Sequence, residues 1–376
     1  MKILLTVEFF WPNVGGAEMV VERVAGGLVA LGHDVHVATS ADPDRVGTSR
    51  AGVSIHEFDV SGNEVKGLRG DVQSYREFLR SFECDVMVNY AAQSWSTDIA
   101  MQELGRTAAR HRVLAPCGYS GLSTLPRRLA YRRYFTRLPA RLRQYGLLIY
   151  HSESFRDADF GRRHGIEHFV VIPNGTDYEE LSIGPSGFRR ESGLGPGPLV
   201  VNVSNHYRLK RHDRYFSLAE KLSERAQFVL IGRDPASTGQ SCGRRCAARA
   251  RSGAVRLFDG ARSQVLSALR DADVVVLTSG SEVAPLVLLE AAAAGAPWVA
   301  FDTGVVREVQ GGMAVSDQDQ LESAVARLLD DDLERQRLGG EGRKFASTRS
   351  WNAIVKVYEG ALQALVDGRP AASQAG

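Results

Sequence analysis

The sequence has few cysteines. Four occur among 376 residues, and they lack the Cys-x2-Cys pairing of a typical zinc site. They are Cys84, Cys117, Cys242 and Cys246. Cys242 and Cys246 could share one face of a helix, but two ligands alone do not make a structural metal site. We therefore expect free thiols, no disulfide framework and no metal.

Long hydrophobic runs are also lacking. No uninterrupted apolar stretch approaches the roughly 18–20 residues that a membrane-spanning helix needs. The first segment, MKILLTVEFFWP, is apolar, but Glu8 interrupts it and no small-residue cleavage site follows. This segment is predicted to be a β-strand rather than a signal peptide, and we expect a cytoplasmic protein.

An excess of charge of one sign is lacking too. The formal net charge is +2, which argues against a nucleic acid as partner. Hydrophobic residues make up 44% of the chain and charged residues 24%, the balance of a folded enzyme rather than of a disordered chain. Only six of the 46 basic residues are lysines, so a lysine inside a motif stands out.

Short apolar runs alternate with amphipathic segments along most of the chain, which is typical of βαβ units around a buried parallel sheet. One series ends near residue 173, and a second begins with LVVNVS at residue 199. The predicted fold class is α/β, with two Rossmann-like domains facing a central cleft, where such folds bind ligands. The predicted segments are an N-terminal domain at 1–183, a linker at 184–198, a C-terminal domain at 199–350, a helix at 351–366 that returns to the first domain, and a disordered tail at 367–376.

The stretch SEVAPLVLLE, residues 281–290, carries two acids in a largely apolar segment. Pro285 suits the first turn of a helix, and Gly295 suits its end. The opening N–H groups of such a helix attract an anion. Glu282, before the helix, and Glu290, inside it, are then placed to accept hydrogen bonds from hydroxyl groups. A nucleotide sugar has this layout, with sugar hydroxyls, a diphosphate and ribose hydroxyls.

The same stretch resembles the E-x7-E signature of the retaining GT-B glycosyltransferases of family 4. The resemblance implies that Glu282 contacts the donor sugar and Glu290 the ribose. The residues between them that would line the donor site are Val283, Ala284, Pro285 and Leu286. The family usually has Gly-Phe-Pro or a similar sequence after the first acid, and Val283-Ala284 departs from it, which leaves the sugar open.

Further stretches resemble the family in the same order along the chain. FFWPNVGGAE resembles the first loop, in which Gly15 and Gly16 let backbone N–H groups approach a phosphate or the acceptor. VSNHYRLKRHD resembles the loop in which Lys210 and Arg208 grip the diphosphate. VIPNGTD resembles the strand and turn at the end of the family's first domain. TGVVREV resembles the loop that follows the E-x7-E helix, with Glu308 as its acid. The resemblance therefore covers nearly the whole chain.

One family feature is replaced. Many members have a His-Gly pair after the fourth strand of the first domain, where LAPCGYSGL has Cys117-Gly118. Four side chains at predicted strand ends are candidates for contacting acceptor or sugar: Glu8, Asn89, Cys117 and Tyr119. In the second domain, His206 and His212 are interpreted as structural, because a lone histidine is more often structural than catalytic.

The resemblance implies transfer of a sugar from a nucleotide sugar to a hydroxyl or other nucleophile, with retention and without a metal. The acceptor would be a small molecule, a lipid or a glycan, bound by the first domain, and no cofactor is expected. Catalysis would rest on Lys210, Arg208 and Glu282. Two alternatives stay open: a nucleotide-sugar epimerase of the same fold, which would convert the donor without an acceptor, and a non-catalytic partner subunit that binds the nucleotide sugar.

The segment RRLAYRRYFTRLPARLR, residues 127–143, interleaves seven arginines with aromatic residues in a helical pattern. Such a segment can lie on an anionic membrane surface. It is more often a solvated helix face with buried aromatic side chains. Peripheral contact with the inner face of the membrane is therefore a second, open interpretation of this segment.

Overall fold

The short apolar runs of the sequence form the strands of two separate sheets. The computed structural model describes residues 1–233 and 241–370. Within it the chain divides into two compact units. Unit 1 comprises residues 1–174 together with the segment that begins at Trp351, and unit 2 comprises Gly175–Ser350. No described helix is both long enough and apolar enough to cross a membrane.

Unit 1 is built on one main sheet. Its strands are β1 (Lys2–Thr6), β2 (Asp34–Ser40), β3 (Ser49–Arg50), β4 (Val53–Phe58), β5 (Val60–Asn63), β6 (Gly67–Gly70), β7 (Cys84–Tyr90), β8 (Ala109–Ala115), β9 (Leu147–Tyr150) and β10 (Phe169–Val171). Its helices up to residue 174 are α1 (Gly16–Ala30), α2 (Val72–Ser81), α3 (Trp95–Glu103), α4 (Leu125–Ala130), α5 (Arg132–Leu142) and α6 (Arg156–Arg163). The strand order is β10-β9-β8-β7-β1-β2-β4-β3, and β5 and β6 form a separate antiparallel hairpin.

The order of the central strands of unit 1 determines where its predicted contact residues lie. Strand β1 pairs in parallel with β2 on one side and with β7 on the other. The chain therefore turns in opposite directions after β1 and after β7, and such a switch point opens a crevice at the carboxyl ends of the strands. Glu8 follows β1, Asn89 lies at the end of β7, and Cys117 follows β8. All three predicted residues thus belong to this edge of the sheet.

Unit 2 is also built on a parallel sheet, with six strands among its described residues. Its strands are β11 (Leu199–Val203), β12 (Gln227–Gly232), β13 (Arg256–Asp259), β14 (Val274–Leu277), β15 (Trp298–Phe301) and β16 (Gly312–Val315). Its helices are α7 (Tyr178–Leu181), α8 (Phe188–Glu191), α9 (His212–Leu222), α10 (Ser241–Ala250), α11 (Arg262–Asp271), α12 (Leu286–Ala294), α13 (Gln318–Asp330) and α14 (Asp332–Ser347). The order β13-β12-β11-β14-β15-β16 places the switch point between β11 and β14.

The chain returns to unit 1 in its last helix, α15 (Trp351–Val366). This helix packs along α1, and the contact is close because α1 carries a glycine there. A Cβ atom at Gly27 would lie 2.6 and 2.7 Å from the two methyl groups of Val355. Val355 is itself only 4% exposed, so it has little room to move aside.

The predicted linker, 184–198, is part of unit 2 in the structure. Its residues include α8, whose Phe188 is buried in the core of that unit. The backbone N–H of Ser186 donates a 2.6 Å hydrogen bond to Asp271. The boundary lies between residues 174 and 175, because the glycines and prolines of 184–198 make turns against unit 2 rather than a free connection. Of the predicted tail, residues 371–376 lie outside the described residues.

The two neighbouring glycines of α1 offer a matched test of this helix contact. Gly27→Ala should lower the free energy of unfolding by about 1–3 kcal/mol, because its methyl group must displace Val355. Gly26→Ala should raise that free energy by up to about 1 kcal/mol, since a Cβ at Gly26 meets nothing within 4 Å and alanine favours the helix. Thermal and urea unfolding measure both values. Equal stabilisation by the two substitutions would contradict a close contact between α1 and α15.

Candidate functional site

The segments that follow β11 and β14 in unit 2 bring Lys210 and Glu282 together. The Nζ of Lys210 donates a 2.7 Å hydrogen bond to Oε1 of Glu282, and the two side chains are 26% and 13% exposed. Two further hydrogen bonds hold the segments side by side. The hydroxyl of Thr278 donates to the carbonyl of Lys210 at 2.9 Å, and the N–H of Gly280 donates to the carbonyl of Leu209 at 2.8 Å.

A third loop fixes the backbone on the other side of Glu282. Gly304 has a φ of +63°, and a Cβ there would lie 2.2 Å from the carbonyl oxygen of Glu282. The N–H of Val305 donates a 3.1 Å hydrogen bond to the carbonyl of Val283. A side chain at residue 304 would therefore push the two loops apart, so glycine is required by both conformation and space.

Helix α12 begins directly after this loop. Pro285 occupies the N-cap, one position earlier than the predicted first turn, and its carbonyl accepts a 3.2 Å hydrogen bond from the N–H of Leu288. The first N–H groups of a helix lack intrahelical partners and carry partial positive charge. Val283 and Ala284 are half-buried beside this end, as is Leu286. The arrangement places a partial positive charge next to the Lys210–Glu282 pair.

Glu290 lies inside α12 and is engaged by an arginine from another helix. Arg262, the first residue of α11, places its guanidinium 2.7 Å from Oε1 of Glu290 and 2.5 Å from Oδ2 of Asp177. The carboxylates are 6% and 12% exposed. Burial alone would lower the pKa of Arg262, but the two carboxylates outweigh it and the pKa is raised. Arg262 thus stays charged and holds Glu290 in place.

Arg208 occupies the same 3₁₀ turn as Lys210, but its side chain is exposed. The structure therefore brings Lys210, Glu282 and the start of α12 together, with Glu290 farther along the same helix. The backbone of Arg208 lies in the turn that carries Lys210, but its side chain lies at the surface.

In unit 1, the predicted glycine loop opens α1, with Gly15 as N-cap. The carboxylate of Glu18 lies over this glycine, because a Cβ at Gly15 would come within 2.3 Å of Glu18 Oε2. The carboxylate thus puts negative charge beside Gly15, whereas a Cβ at Gly16 would meet nothing within 4 Å. The same carboxylate acts on Glu8: burial, then Glu18, raises the pKa of Glu8 to about 7. Glu8 is therefore half-protonated near neutral pH and can donate or accept a hydrogen bond.

Two predicted contact residues of unit 1 are buried. Asn89 is 0% exposed, donates a 2.8 Å hydrogen bond to Thr6 and accepts one of 2.8 Å from Tyr145. Tyr119 is also 0% exposed and packs edge-on against Phe135 and Phe160. The prediction that these side chains meet a substrate is not supported by their positions, because neither presents its polar atoms at the surface.

Cys117 has a left-handed backbone, with φ +54°, and its thiol donates to the hydroxyl of Tyr90 over 3.8 Å. Burial raises the pKa of Cys117 to about 12, so it remains a neutral thiol. The hydroxyl of Tyr90 also lies 2.9 Å from Nε2 of His151, whose Nδ1 lies 3.0 Å from the carbonyl of Ile172. The side chain of Tyr90 thus connects a buried histidine, His151, to Cys117, which stands where many family members have a histidine.

Arg262, Asp177 and His151 are not among the site residues predicted from the sequence, although Asp177 ends the stretch VIPNGTD. Arg262, the first residue of α11, reaches Asp177 at the N-cap of α7 and Glu290 on α12, so the packing of three helices brings these residues together. His151 follows β9 directly, in the stretch LLIYHS. A histidine at the end of a buried parallel strand was the available signal for it.

Two family models match the chain. The model described as Glycosyltransferase Family 4 matches residues 14–180, and the model described as Glycosyl transferases group 1 matches residues 197–331. No curated protein matches the chain.

Solved structures share the fold over nearly the whole length. Sucrose-phosphate synthase from Thermosynechococcus elongatus is 18% identical with a TM-score of 0.81, over 98% of this chain and 99% of that one. HepE from Anabaena in complex with UDP-glucose is 17% identical with a TM-score of 0.75, over 97% and 100%. WaaG, a glycosyltransferase involved in lipopolysaccharide biosynthesis, is 18% identical with a TM-score of 0.71, over 94% and 97%. The comparison confirms the predicted α/β fold of two Rossmann-like domains.

The Arg262 contacts can be tested through stability. Arg262→Ala should lower the free energy of unfolding by about 3 kcal/mol, because it leaves two poorly exposed carboxylates without their cation. Adding Glu290→Gln to this variant should restore part of the loss, since the amide carries no charge. Arg251→Ala, at an exposed arginine of the same unit, is the control and should stay within about 0.5 kcal/mol of the wild type. Equal losses at Arg262 and Arg251 in urea unfolding would contradict the proposed pairing.

Proposed function

Because the chain belongs to the glycosyltransferases of group 1 and family 4, we propose that it moves a sugar from a nucleoside diphosphate sugar to an acceptor hydroxyl with retention of configuration. One observation carries this proposal: a lysine and an acid, Lys210 and Glu282, meet at the start of α12, and a second acid, Glu290, lies on that helix. HepE, which shares the fold, is described in complex with UDP-glucose, and this supports a nucleotide sugar as donor.

Each group around α12 takes one part of the donor in this proposal. The diphosphate binds Lys210, the exposed guanidinium of Arg208 and the first N–H groups of α12, all of which carry positive charge. Before the donor arrives, Glu282 holds Lys210 through one carboxylate oxygen. The diphosphate then takes over Lys210, and Glu282 turns its oxygens to the hydroxyls of the sugar. Glu290 accepts hydrogen bonds from the ribose with the carboxylate oxygen that Arg262 leaves open.

The reaction breaks the bond between the anomeric carbon and the phosphate oxygen and forms a bond from that carbon to the acceptor oxygen. The proton of the acceptor hydroxyl passes to the departing phosphate oxygen on the same face of the sugar, which retains the configuration. Negative charge develops on the leaving diphosphate. Lys210 and the start of α12 are already in place to meet this charge, and such preorganised groups are among the largest contributions to catalysis.

We propose further that turnover requires no divalent metal, because these cationic groups supply the charge that a metal would supply. On the acceptor side we propose Glu8, whose carboxyl group titrates near neutral pH and can hydrogen-bond an acceptor hydroxyl in either protonation state. The Cys117 thiol is retained as a neutral contact for acceptor or sugar. It cannot act as a nucleophile while its pKa stays near 12.

The donor is identified by a thermal-shift panel of UDP, GDP, dTDP and ADP with their common sugar conjugates. A ligand at 100 times its dissociation constant adds about 2.7 kcal/mol of stability, which such a panel detects readily. The shift should weaken in Glu290→Gln if this acid binds the ribose. Absence of any nucleotide shift at millimolar concentration would remove the basis of the donor assignment.

Lys210→Ala should reduce turnover with that donor by about 10²–10³-fold, the typical cost of losing one charge-stabilising donor. Lys221→Ala is the matched control, because Lys221 is 61% exposed and pairs with Glu322 at the surface of the same unit. Release of the nucleoside diphosphate in the presence of acceptor mixtures measures both. Near-normal turnover of Lys210→Ala would contradict its role.

The same assay separates the alternative functions. Conversion of the donor without acceptor would favour the epimerase, and donor binding without release of the nucleoside diphosphate would favour the non-catalytic subunit.

We also propose that unit 1 touches an anionic membrane surface through residues 127–143 and the adjoining Leu125. Leu125 and Leu129 on α4 are 70% and 67% exposed, and exposed arginines adjoin them. The aromatic Tyr134 of α5 is buried, as a solvated helix would also have it. The exposed leucines are the feature that favours the membrane, because they give an apolar face beside the basic one.

Sedimentation with vesicles rich in anionic phospholipid tests this contact. The wild type should bind at low salt, and binding should weaken as the salt concentration rises. Leu125→Asp with Leu129→Asp should abolish binding. Leu333→Asp should not abolish binding, because Leu333 belongs to unit 2, although at 77% it is more exposed than either of the two leucines on α4. Failure of the wild type to sediment at low salt would remove the membrane proposal and leave the transferase proposal intact.

A further inference from the structure

Four potential metal ligands converge in unit 2 beside the turn that carries Lys210. His206 lies just before this turn, and His212 begins α9 just after it. Cys242 and Cys246 are one helical turn apart on α10. One ligand atom from each residue can be chosen so that all four lie within 4.8 Å of one another. The sequence analysis predicts no metal because it considers the two cysteines and the two histidines separately.

The distances within this cluster approach those of a tetrahedral zinc site. The Nδ1 of His212 lies 3.3 Å from Sγ of Cys246 and 3.7 Å from Sγ of Cys242. Ligand atoms around tetrahedral zinc are roughly 3.3–3.8 Å apart, given Zn–S bonds of about 2.3 Å and Zn–N bonds of about 2.0 Å. Both measured separations agree with this geometry. The remaining pairs lie within 4.8 Å, so each needs to contract by about 1.5 Å at most for the shell to close.

A chain of hydrogen bonds fixes which nitrogen of His212 faces the thiols. The hydroxyl of Ser204 donates its one proton to Oδ1 of Asn202 at 2.7 Å. The same hydroxyl lies 2.8 Å from Nε2 of His212, so it accepts the proton of Nε2. Nδ1 is then unprotonated and presents its lone pair to Cys242 and Cys246. Metal-binding histidines are commonly oriented in this way by a partner on their second nitrogen.

The electrical balance of the cluster also suits a divalent ion. His206, His212 and Cys246 are 2%, 2% and 3% exposed. Two thiols that lose their protons to solvent on metal binding would neutralise a 2+ ion, which makes the occupied site neutral overall.

The sequence spacing is compatible with the same conclusion. Cys242-x3-Cys246 and His206-x5-His212 both fall within the ligand spacings of structural zinc sites. Two thiolates and two imidazoles in a tetrahedral arrangement favour zinc over the hard, oxygen-seeking cations. All four coordination positions are filled by the protein, which is the arrangement of a structural rather than a catalytic site.

We propose that His206, His212, Cys242 and Cys246 bind one Zn²⁺ ion that fastens α10 to both ends of the Lys210 turn. The ion has no part in the transfer reaction, so this proposal does not depend on the proposed function. Its structural effect is local. The metal would restrain residues 206–212 and thereby the position from which Lys210 reaches Glu282.

Metal titration of the full chain tests the proposal. The protein is purified under reducing conditions, freed of metal by a chelator, and titrated with Co²⁺. One Co²⁺ per chain should bind, with the thiolate-to-cobalt charge-transfer absorption and the intense visible bands of tetrahedral cobalt, and Zn²⁺ should displace it. The folded wild type suffices for this measurement. A folded protein that binds no cobalt in one-to-one ratio would overturn the proposal.

Variants and hydrogen exchange locate the ion. Cys242→Ser with Cys246→Ser should lose the cobalt spectrum, whereas Cys84→Ala, which removes a thiol from unit 1, should retain it. Zn²⁺ should slow amide exchange at residues 206–212 and raise the melting temperature of the wild type, but not of the double variant. An undiminished cobalt spectrum in that double variant, or a disulfide between Cys242 and Cys246 in the reduced preparation, would contradict the assignment. Loss of donor binding with the cobalt spectrum intact would count against the proposed function alone.

Discussion

The ion pair between Lys210 and Glu282 depends on the adjacency of β11 and β14, the strands that precede the two segments carrying these residues. These strands are neighbours in the sheet although, among the described residues, two strands and three helices separate them along the chain. Because the chain leaves them in opposite directions, their exits face each other, and a lysine after one meets an acid after the other. The glycine at 304 then allows a third exit loop to close over the acid.

The charges of this region are arranged in alternation. Lys210 is held by Glu282, and Arg262 lies between Glu290 and Asp177. Every one of these acids therefore has a cation at hydrogen-bond distance before any ligand binds. A dianionic ligand would enter a site that is already paired, and it would have to exchange partners rather than fill an empty positive pocket. Such exchange favours ligands that bring hydroxyl groups for the released acids, in addition to phosphate.

The sequence predicts the fold and part of the candidate site because both depend on the order of residues within short segments. The two series of apolar runs predict the two sheets, and the spacing of Glu282 and Glu290 places both on one loop and helix. Arg262 and the cluster of His206, His212, Cys242 and Cys246 escape prediction, because the segments that carry them meet only after the helices pack. Asn89 and Tyr119 show the opposite failure: their positions near strand ends are as predicted, but packing turns their side chains inward. The linker was misplaced because glycine and proline mark turns, and turns need not separate domains.

The return of α15 to unit 1 has a consequence for synthesis on the ribosome. Unit 2 is one continuous segment, whereas unit 1 is interrupted and lacks the partner of α1 until residues 351–366 have emerged. Unit 2 can therefore complete its core while unit 1 still exposes the apolar side of α1 around Gly27. During that interval the nascent chain carries a surface prone to aggregation, and its exposure lasts as long as the translation of the inserted unit.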